Sequence, residues 1–388
     1  MPSFAPPVLQ ELAGARLHLS HGPIDVVLKA WGTPEAVRAA YAAACQRFAG
    51  ILPELCDELA MLRTPMHEDP NVDGPVARRM VDACLPFAGV FVTPMAAVAG
   101  AVADELLTHM TAAAPLLRAF VNDGGDIAVM MAPGHRLDIG VAGEYAGAAI
   151  PCLNGALRLE AASGVGGIAT SGARGRSFSL GIADAVTTLA STAAMADAAA
   201  TLVANAVNLD SPAVLRRPAC ELDPDSDLRS LPVTVSVGPL TPAEVDAALA
   251  AGLAQALNFR ERGLIAEAAL MLAGLTRTLG QTCPTGDARA QILAQDHAIA
   301  RGRARPRLAM RALDLEVGIA ADVRPRSIIA IGLGKGRSCE GAVERAPAKA
   351  PAKTLAKAPA KAPAKTQAKN PGKGSAKVEQ RPQPSKRL

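Results

Sequence analysis

Leu116-Leu117-Arg118-Ala119-Phe120-Val121-Asn122-Asp123-Gly124-Gly125-Asp126-Ile127-Ala128-Val129-Met130-Met131 is a pair of apolar runs joined by a polar turn that carries two adjacent glycines. Each run has the length and content of a buried strand. The Gly-Gly pair supplies the positive φ angles that a tight reversal needs and that other side chains resist. The stretch therefore reads as strand, turn, strand. Just upstream, Thr93-Pro94 opens a helix in which Ala97, Gly100, Ala101 and Asp104 recur at helical spacing. That spacing gathers mostly small residues on one face, where another backbone can approach closely.

Further toward the N-terminus, Leu17 and Leu19 alternate, His21-Gly22-Pro23 breaks the run, and Ile24, Val26 and Val27 follow, a second pair of strands on a tight connection. Thr33-Pro34-Glu35 is a helix start, with the hydroxyl as N-cap and proline where its missing N–H does no harm. Apolar residues from Val37 to Leu62 then recur at helical spacing, and Gly50 and Pro53 divide that run into two helices. A short helix near Val76 to Cys84 leads to a strand candidate at Val90 to Val92. Beyond the central hairpin, Gly164 to Asn208 starts glycine-rich and becomes alanine-rich helix. Val233, Val235 and Val237 alternate as a half-buried strand, and Thr241-Pro242-Ala243-Glu244 is a capping box opening helical sequence to about Leu279, with a break at Gly263. Strands and helices interspersed in this way give a mixed α+β domain over residues 1–280.

The chain has 388 residues and only ten aromatics, one Trp, two Tyr and seven Phe, so stacking platforms for single-stranded nucleic acid are excluded. Its formal charge of +4 conceals two parts of opposite sign. From Ala346 onward eleven Lys or Arg face one acid, Glu379, while the remainder holds 29 basic and 35 acidic residues. Residues 281–345 form a poorly specified extension. Residues 346–388 are a near-repeat of Pro-Ala-Lys-Ala whose composition gives a disordered basic tail. The seven cysteines are odd in number and never paired as CxxC, which fits a reducing compartment. The first residues carry neither a charged n-region nor an apolar h-region, so the expected location is cytoplasmic. Cys84 to Ala103 is twenty residues without a charge, but Pro86, Gly89 and Pro94 interrupt it, and it reads as a buried strand and helix with no membrane contact.

Three constellations have chemistry within reach. In the Asn122 to Asp126 turn, glycine lets a ligand approach the main chain, where N–H groups can meet a phosphate or purine edge and Asn122 and Asp126 offer polar handles; a plain hairpin turn accounts for the same residues. Asp197 and Thr201 stand one helical turn apart, so two hard oxygens share a face suited to Mg²⁺. A carboxylate bonded to a helix N-terminus or an arginine explains Asp197 equally well, since it is the one charge between Asp184 and Asp210 and needs a partner. Between them, Thr170-Ser171-Gly172-Ala173-Arg174-Gly175-Arg176 suits an anionic ligand or a flexible loop. Gly332-Leu333-Gly334-Lys335-Gly336 lacks the spacing of a phosphate-binding loop. His18 and His21 are unaccompanied by CxxC or HExxH, and His21 reads as a turn histidine.

Taken as an ordered set, Ala97 to Asp104, Val121 to Ile127, Ala169-Thr170-Ser171-Gly172 and Ala196-Asp197-Ala198-Ala199-Ala200-Thr201 resemble the ApbE superfamily of flavin transferases. His21-Gly22-Pro23-Ile24-Asp25 and Thr93 to Gly100 are similar to a smaller, functionally unassigned branch of it. The resemblance covers about residues 10 to 280. It implies an ApbE-like fold of mixed sheets with packed helices, FAD and Mg²⁺ as cofactors, and transfer of FMN to an acceptor protein with release of AMP. It makes Asp197 and Thr201 metal ligands and sets Gly100, Asn122, Gly124, Gly125, Asp126, Ser171 and Gly172 along the dinucleotide. Two departures bear on catalysis: Ala99 stands where the transferases carry Lys, and their His-Ile-Ile-Asp-Pro segment has no counterpart in Ser179 to Asp184. The expected function is a Mg²⁺-dependent enzyme acting on a flavin or nucleotide diphosphate. The alternative is a non-catalytic flavin- or metabolite-binding protein, including an accessory to sulfur assimilation.

The tail generates its own expectation. Eight lysines at every fourth residue from Lys349 to Lys377 make a flexible cation, either a contact for polyanions without sequence preference or a solvated tail with no partner. Affinity for duplex DNA should fall steeply between low and moderate salt, because each neutralised phosphate steepens the dependence. Truncation after Glu344 should abolish that binding in a filter or anisotropy assay; unchanged salt-dependent affinity would shift the contact to Arg301 to Arg311.

Overall fold

The structure, a computed structural model, describes residues 4–141, 155–175, 177–280 and 291–294. The lysine-rich tail, the Gly332 to Gly336 sequence, Arg176 and most of the 281–345 extension lie outside the described residues. In chain order the strands are β1 (Val8–Leu12), β2 (Arg16–His21), β3 (Ile24–Trp31), β4 (Arg118–Asp123), β5 (Asp126–Met131), β6 (Arg136–Val141), β7 (Gly155–Glu160), β8 (Gly167–Ser171), β9 (Ala185–Ala190), β10 (Val214–Pro218), β11 (Pro232–Val237), β12 (Glu267–Leu272), β13 (Leu275–Leu279) and β14 (Gln291–Ala294). The α-helices are α1 (Pro34–Asp57), α2 (Leu59–Leu62), α3 (Pro75–Cys84), α4 (Val98–Ala113), α5 (Ala193–Ala206), α6 (Ala219–Leu222) and α7 (Pro242–Glu261).

Nine strands form one sheet in the order β1-β2-β3-β4-β5-β8-β9-β12-β13, every neighbouring pair antiparallel. β10 and β11 form a ribbon, and β14, β7 and β6 a smaller sheet. The architecture is α+β, as the interspersed strands and helices imply. Side chains alternate with period two through the centre of the large sheet. Ala119, Val121, Ala128, Ala169, Val186 and Ala190 face a helical layer, while Phe120, Ile127, Val129, Ile168 and Leu189 pack with Leu137, Ile139, Leu157 and Leu159 of the smaller sheet. Small residues on the helical side let α4 settle on β4 and β5, and α5 on β8 and β9. The middle of the sheet has a thin seam. Only Ile127↔Ile168 and Ala128↔Gly167 pair between β5 and β8, against six pairs between β4 and β5 and five between β8 and β9.

Several local expectations are corrected. Gly50 and Pro53 do not divide the first helix: α1 runs unbroken through Pro53, because Phe48, Ile51, Leu52 and Leu55 are buried on one face and outweigh the lost backbone bond. Val90 to Val92 forms no strand; Val90 is exposed, and the Val92 carbonyl accepts a bond from Met66 N–H. Helix does not resume after Gly263. The chain forms the β12–β13 hairpin there, in which Ala268, Leu270 and Leu272 are buried by strand alternation. The glycine-rich segment hides two central strands, β8 and β9. Val233 is buried, but Val235 and Val237 are exposed on the β10–β11 ribbon.

α4 and α5 meet at their N-termini through a reciprocal exchange. Asp104 of α4 accepts N–H bonds from Ala193 (3.0 Å) and Ala194 (2.9 Å) in the first turn of α5. Asp197 of α5 accepts from Gly100 N–H in the first turn of α4 (3.1 Å), with Ala99 N–H also bonding it. Each carboxylate satisfies donors that a helix start leaves open and sits at the positive end of the other helix. Gly100 permits the approach, since a Cβ there would lie 2.3 Å from the Ala193 carbonyl oxygen. On the far side of α4, buried Glu105 accepts from Arg47 of α1 and Arg79 of α3, each at 2.8 Å, and the two guanidiniums outweigh burial and hold its carboxyl below the usual range.

Gly100→Ala should therefore force α4 and α5 apart and cost about 3 kcal/mol, measured as a lowered urea midpoint. Burial pushes Asp104 from the ordinary 3.8 up to about 6, although the Ala194 and Ala193 N–H groups pull it down. Its folded form thus holds a proton that the unfolded chain has released. Stability from this group is full below pH 3.8 and lost as pH rises through about 6, a change on the order of 3 kcal/mol. In urea titrations, Asp104→Asn should flatten that part of the stability profile.

Candidate functional site

One end of the large sheet gathers the connections β2–β3, β4–β5, β8–β9 and β12–β13. At this end Asp123, Asp126 and Ser171 fall in the helix-side rows of their strands, in step with Val121, Ala128 and Ala169. The β4–β5 turn is fixed by Asn122 Oδ1, which accepts Gly125 N–H at 2.8 Å. Gly124 has φ +65° and Gly125 φ +119°, and no atom lies within 4 Å of where a Gly125 Cβ would stand. The main chain is open on that side. Asn122 is buried and its carbonyl belongs to the turn, so its part is to shape the loop.

Asp126 reaches across the seam, where its Oδ1 accepts Thr170 N–H at 3.1 Å just beyond the last paired residues of β5 and β8. Next to Thr170, Ser171 Oγ receives a long 3.4 Å contact from Thr201 Oγ1. Thr201 lies one turn beyond Asp197 on α5, and both are partly buried. Burial drives the Asp197 carboxyl well above the ordinary carboxylate range, and the Asp126 charge adds to this; Gly100 N–H opposes it, with smaller contributions from Asp123 upward and Ala99 N–H downward. The structure thus brings Asp126, Ser171, Asp197 and Thr201 together, with the Gly100 amide bonded to Asp197. Gly172 serves packing, since a Cβ there would lie 2.6 Å from the Asp184 carbonyl oxygen. The helix N-terminus contact left open for Asp197 by its sequence is present.

Some contributors were not singled out from sequence. Asp123 is buried, accepts Asp25 N–H at 3.4 Å and acts electrostatically on Asp197. Period two from Val121 would have found it. Thr187 of β9 hydrogen-bonds Thr170 Oγ1 at 2.9 Å. The buried Cys84 thiol is pushed up by burial and then by the Asp197 charge. Among the described residues no group of three or more His, Cys, Asp or Glu is arranged to hold a metal ion. The oxygen set fits a hard cation that takes one carboxylate and hydroxyls from the protein and its remaining ligands from water or phosphate. No helix among the described residues is long and apolar enough to cross a membrane.

Solved structures similar to the chain include the ApbE protein of Thermotoga maritima, at 14% identity over 71% of this chain and 96% of that one, with a TM-score of 0.38. The apo form of the flavinyl transferase ApbE from Pseudomonas stutzeri is similar at 11% identity over 72% and 97%, with a TM-score of 0.29. No curated protein matches the chain. The family model described as AbpE bacteria matches residues 9–282, nearly the span over which the ordered motifs run. The chain therefore belongs to the bacterial AbpE family.

Proposed function

We propose that residues 1–280 form a cytoplasmic, Mg²⁺-dependent enzyme that binds FAD, or a related flavin or nucleotide diphosphate, and acts on its diphosphate, with the 346–388 tail as a separate polyanion contact. The observation that supports this reading is the meeting of Asp126, Ser171, Asp197 and Thr201 beside the open β4–β5 turn. Asp197 and Thr201 would hold Mg²⁺, which when bound neutralises charge on the phosphate oxygens. Gly124 and Gly125 leave main-chain room for the dinucleotide, and Ser171 offers it a hydroxyl. Asp126, by bonding Thr170 N–H, orients the end of β8 and adds negative charge that favours a cation at Asp197.

The second reading, a non-catalytic flavin- or metabolite-binding protein, is favoured by Ala99. Its main chain bonds Asp197, but its methyl side chain offers no positive charge to a leaving phosphate.

Asp197→Asn keeps an oxygen for Gly100 N–H while removing the charge, so it separates metal binding from helix capping. In calorimetric titrations of the full chain with FAD, it and Thr201→Val should lose at least about tenfold of the Mg²⁺-dependent affinity with melting temperature little changed. Equal binding by wild type and Asp197→Asn would leave Asp197 as a helix cap alone. Chromatography of FAD incubated with wild type and Mg²⁺ then decides between the readings: AMP marks the enzyme, and bound but intact FAD the binding protein.

A further inference from the structure

His21 closes β2 on the helical side of the sheet, continuing the buried row of Leu17 and Leu19. It is 6% exposed, and neither Nδ1 nor Nε2 has a hydrogen-bond partner. Among the described residues only one other buried side chain, Thr234, carries an unpartnered polar atom, and His21 alone carries two. An imidazole always has at least one N–H to donate, and in its neutral form a lone pair to offer at the other nitrogen. Burying both without partners costs free energy that a phenylalanine or leucine in the same place would not. His18, three residues earlier on the opposite face, bonds Asp25 at 2.9 Å, so the strand does not deprive its histidines of partners generally.

The surroundings of His21 are aromatic. Phe48 of α1 lies 6.2 Å away at an interplanar angle of 57°, and Phe4 stands edge-on at 6.2 Å and 85°. Phe48 is fixed in the core, at 1% exposure. Phe4 is only partly buried and precedes the β1 ladder, attached through Ala5 and two prolines that have no N–H to donate. One wall around the histidine is thus built into a helix, and the other is a partly buried ring on the irregular segment ahead of β1. The location matters equally. Asp25 N–H bonds Asp123 Oδ1 and so ties the β2–β3 turn to the end of β4. His21, Asp123, Asp126 and Ser171 occupy helix-side positions at the same end of the sheet, and two strand spacings with a two-residue offset along the strands put His21 about 12 Å from Asp123. A dinucleotide whose phosphates lie at Asp197 has the reach to set a ring there.

We propose that His21 is the ring-recognising residue of this site: Phe4 is a displaceable cover, and a planar nitrogen heterocycle takes its place against His21 and Phe48. The heterocycle supplies what Phe4 lacks, ring nitrogens and carbonyl oxygens that hydrogen-bond Nδ1 or Nε2, while keeping the aromatic contact with Phe48. The adenine and the isoalloxazine of FAD both offer ring nitrogens, and the isoalloxazine offers carbonyl oxygens as well. The inference rests on the dinucleotide reading of the site given above.

The test uses the full chain with Mg²⁺, calorimetric titration with FAD, ADP and FMN, and thermal melting. His21→Leu should melt at or above the wild-type temperature, since two unpartnered nitrogens are removed, yet bind FAD at least about tenfold more weakly. A loss seen with ADP assigns the adenine to His21, and a loss seen with FMN the isoalloxazine. Phe4→Ala should bind FAD several-fold more tightly, because no cover has to be displaced. Unchanged FAD affinity in His21→Leu would make His21 a core filler and overturn the proposal while leaving the dinucleotide site intact. If His21→Leu fails to fold, Phe4→Ala decides, and affinity equal to or below wild type overturns the proposal. Failure of wild type to bind FAD would remove the dinucleotide reading itself, and this one with it.

Discussion

Two carboxylates exchanged between two helix starts hold the centre of this protein together. Asp104 closes the first turn of α5 and Asp197 the first turn of α4. Burial opposes both charges and raises both carboxyls, and the backbone N–H groups that receive them offset part of that cost. The exchange needs near backbone contact, which Gly100 allows at Ala193. Once α4 and α5 are locked at this point, the direction of α5 is set, and with it the positions at which Asp197 and Thr201 face the ends of β5 and β8. Asp197 thereby serves as a structural acceptor with one oxygen while its carboxyl remains within the electrostatic reach of Asp126.

The sheet is asymmetric for a related reason. On the central strands β4, β5, β8 and β9 its helical side is surfaced largely by alanine and valine, and its other side by phenylalanine, isoleucine, valine and leucine that meet the smaller sheet. Thin side chains bring helix backbones close to the strands, so the polar ends of helices, with their N–H groups, arrive near the strand ends. The bulky side builds a conventional apolar core. Polar residues gather where the thin-surfaced face runs out, at the β4–β5 turn and the end of β8.

The parts of the fold that could be read from sequence were those governed by local rules. The apolar hairpin from Leu116 to Met131, the Thr33-Pro34 start and the Thr241 to Glu244 capping box all follow from backbone chemistry within a few residues. Misreadings came where tertiary burial overrode local preference. Pro53 stayed helical because four large side chains near it are buried, and residues 267–279 became a hairpin because β9 was available to pair with them. β8 was hidden by its glycines, which in this protein let the main chain approach Ser191 to Ala193. In the site, Asp197 and Thr201 were visible from their spacing on a helix. Asp104 was not, since its role depends on a helix 89 residues away. The orphaned state of His21 depends on what packs around it, and no spacing rule reports that.

The seam between β5 and β8 has a consequence for how the molecule moves. Two ladder pairs, the Val129–Gly166 backbone bond and the Asp126–Thr170 side-chain bond join the two halves of the nine-stranded sheet. Cooperative units in proteins separate where such joints are fewest. The strands β1–β5 on one side and β8, β9, β12 and β13 on the other are therefore the natural breathing bodies of the sheet, with α4 riding on one, α5 on the other, and the paired carboxylates acting as the clasp between them. A ligand gripping the β4–β5 turn and α5 at once spans that joint, so its binding energy also resists the sheet's softest opening motion.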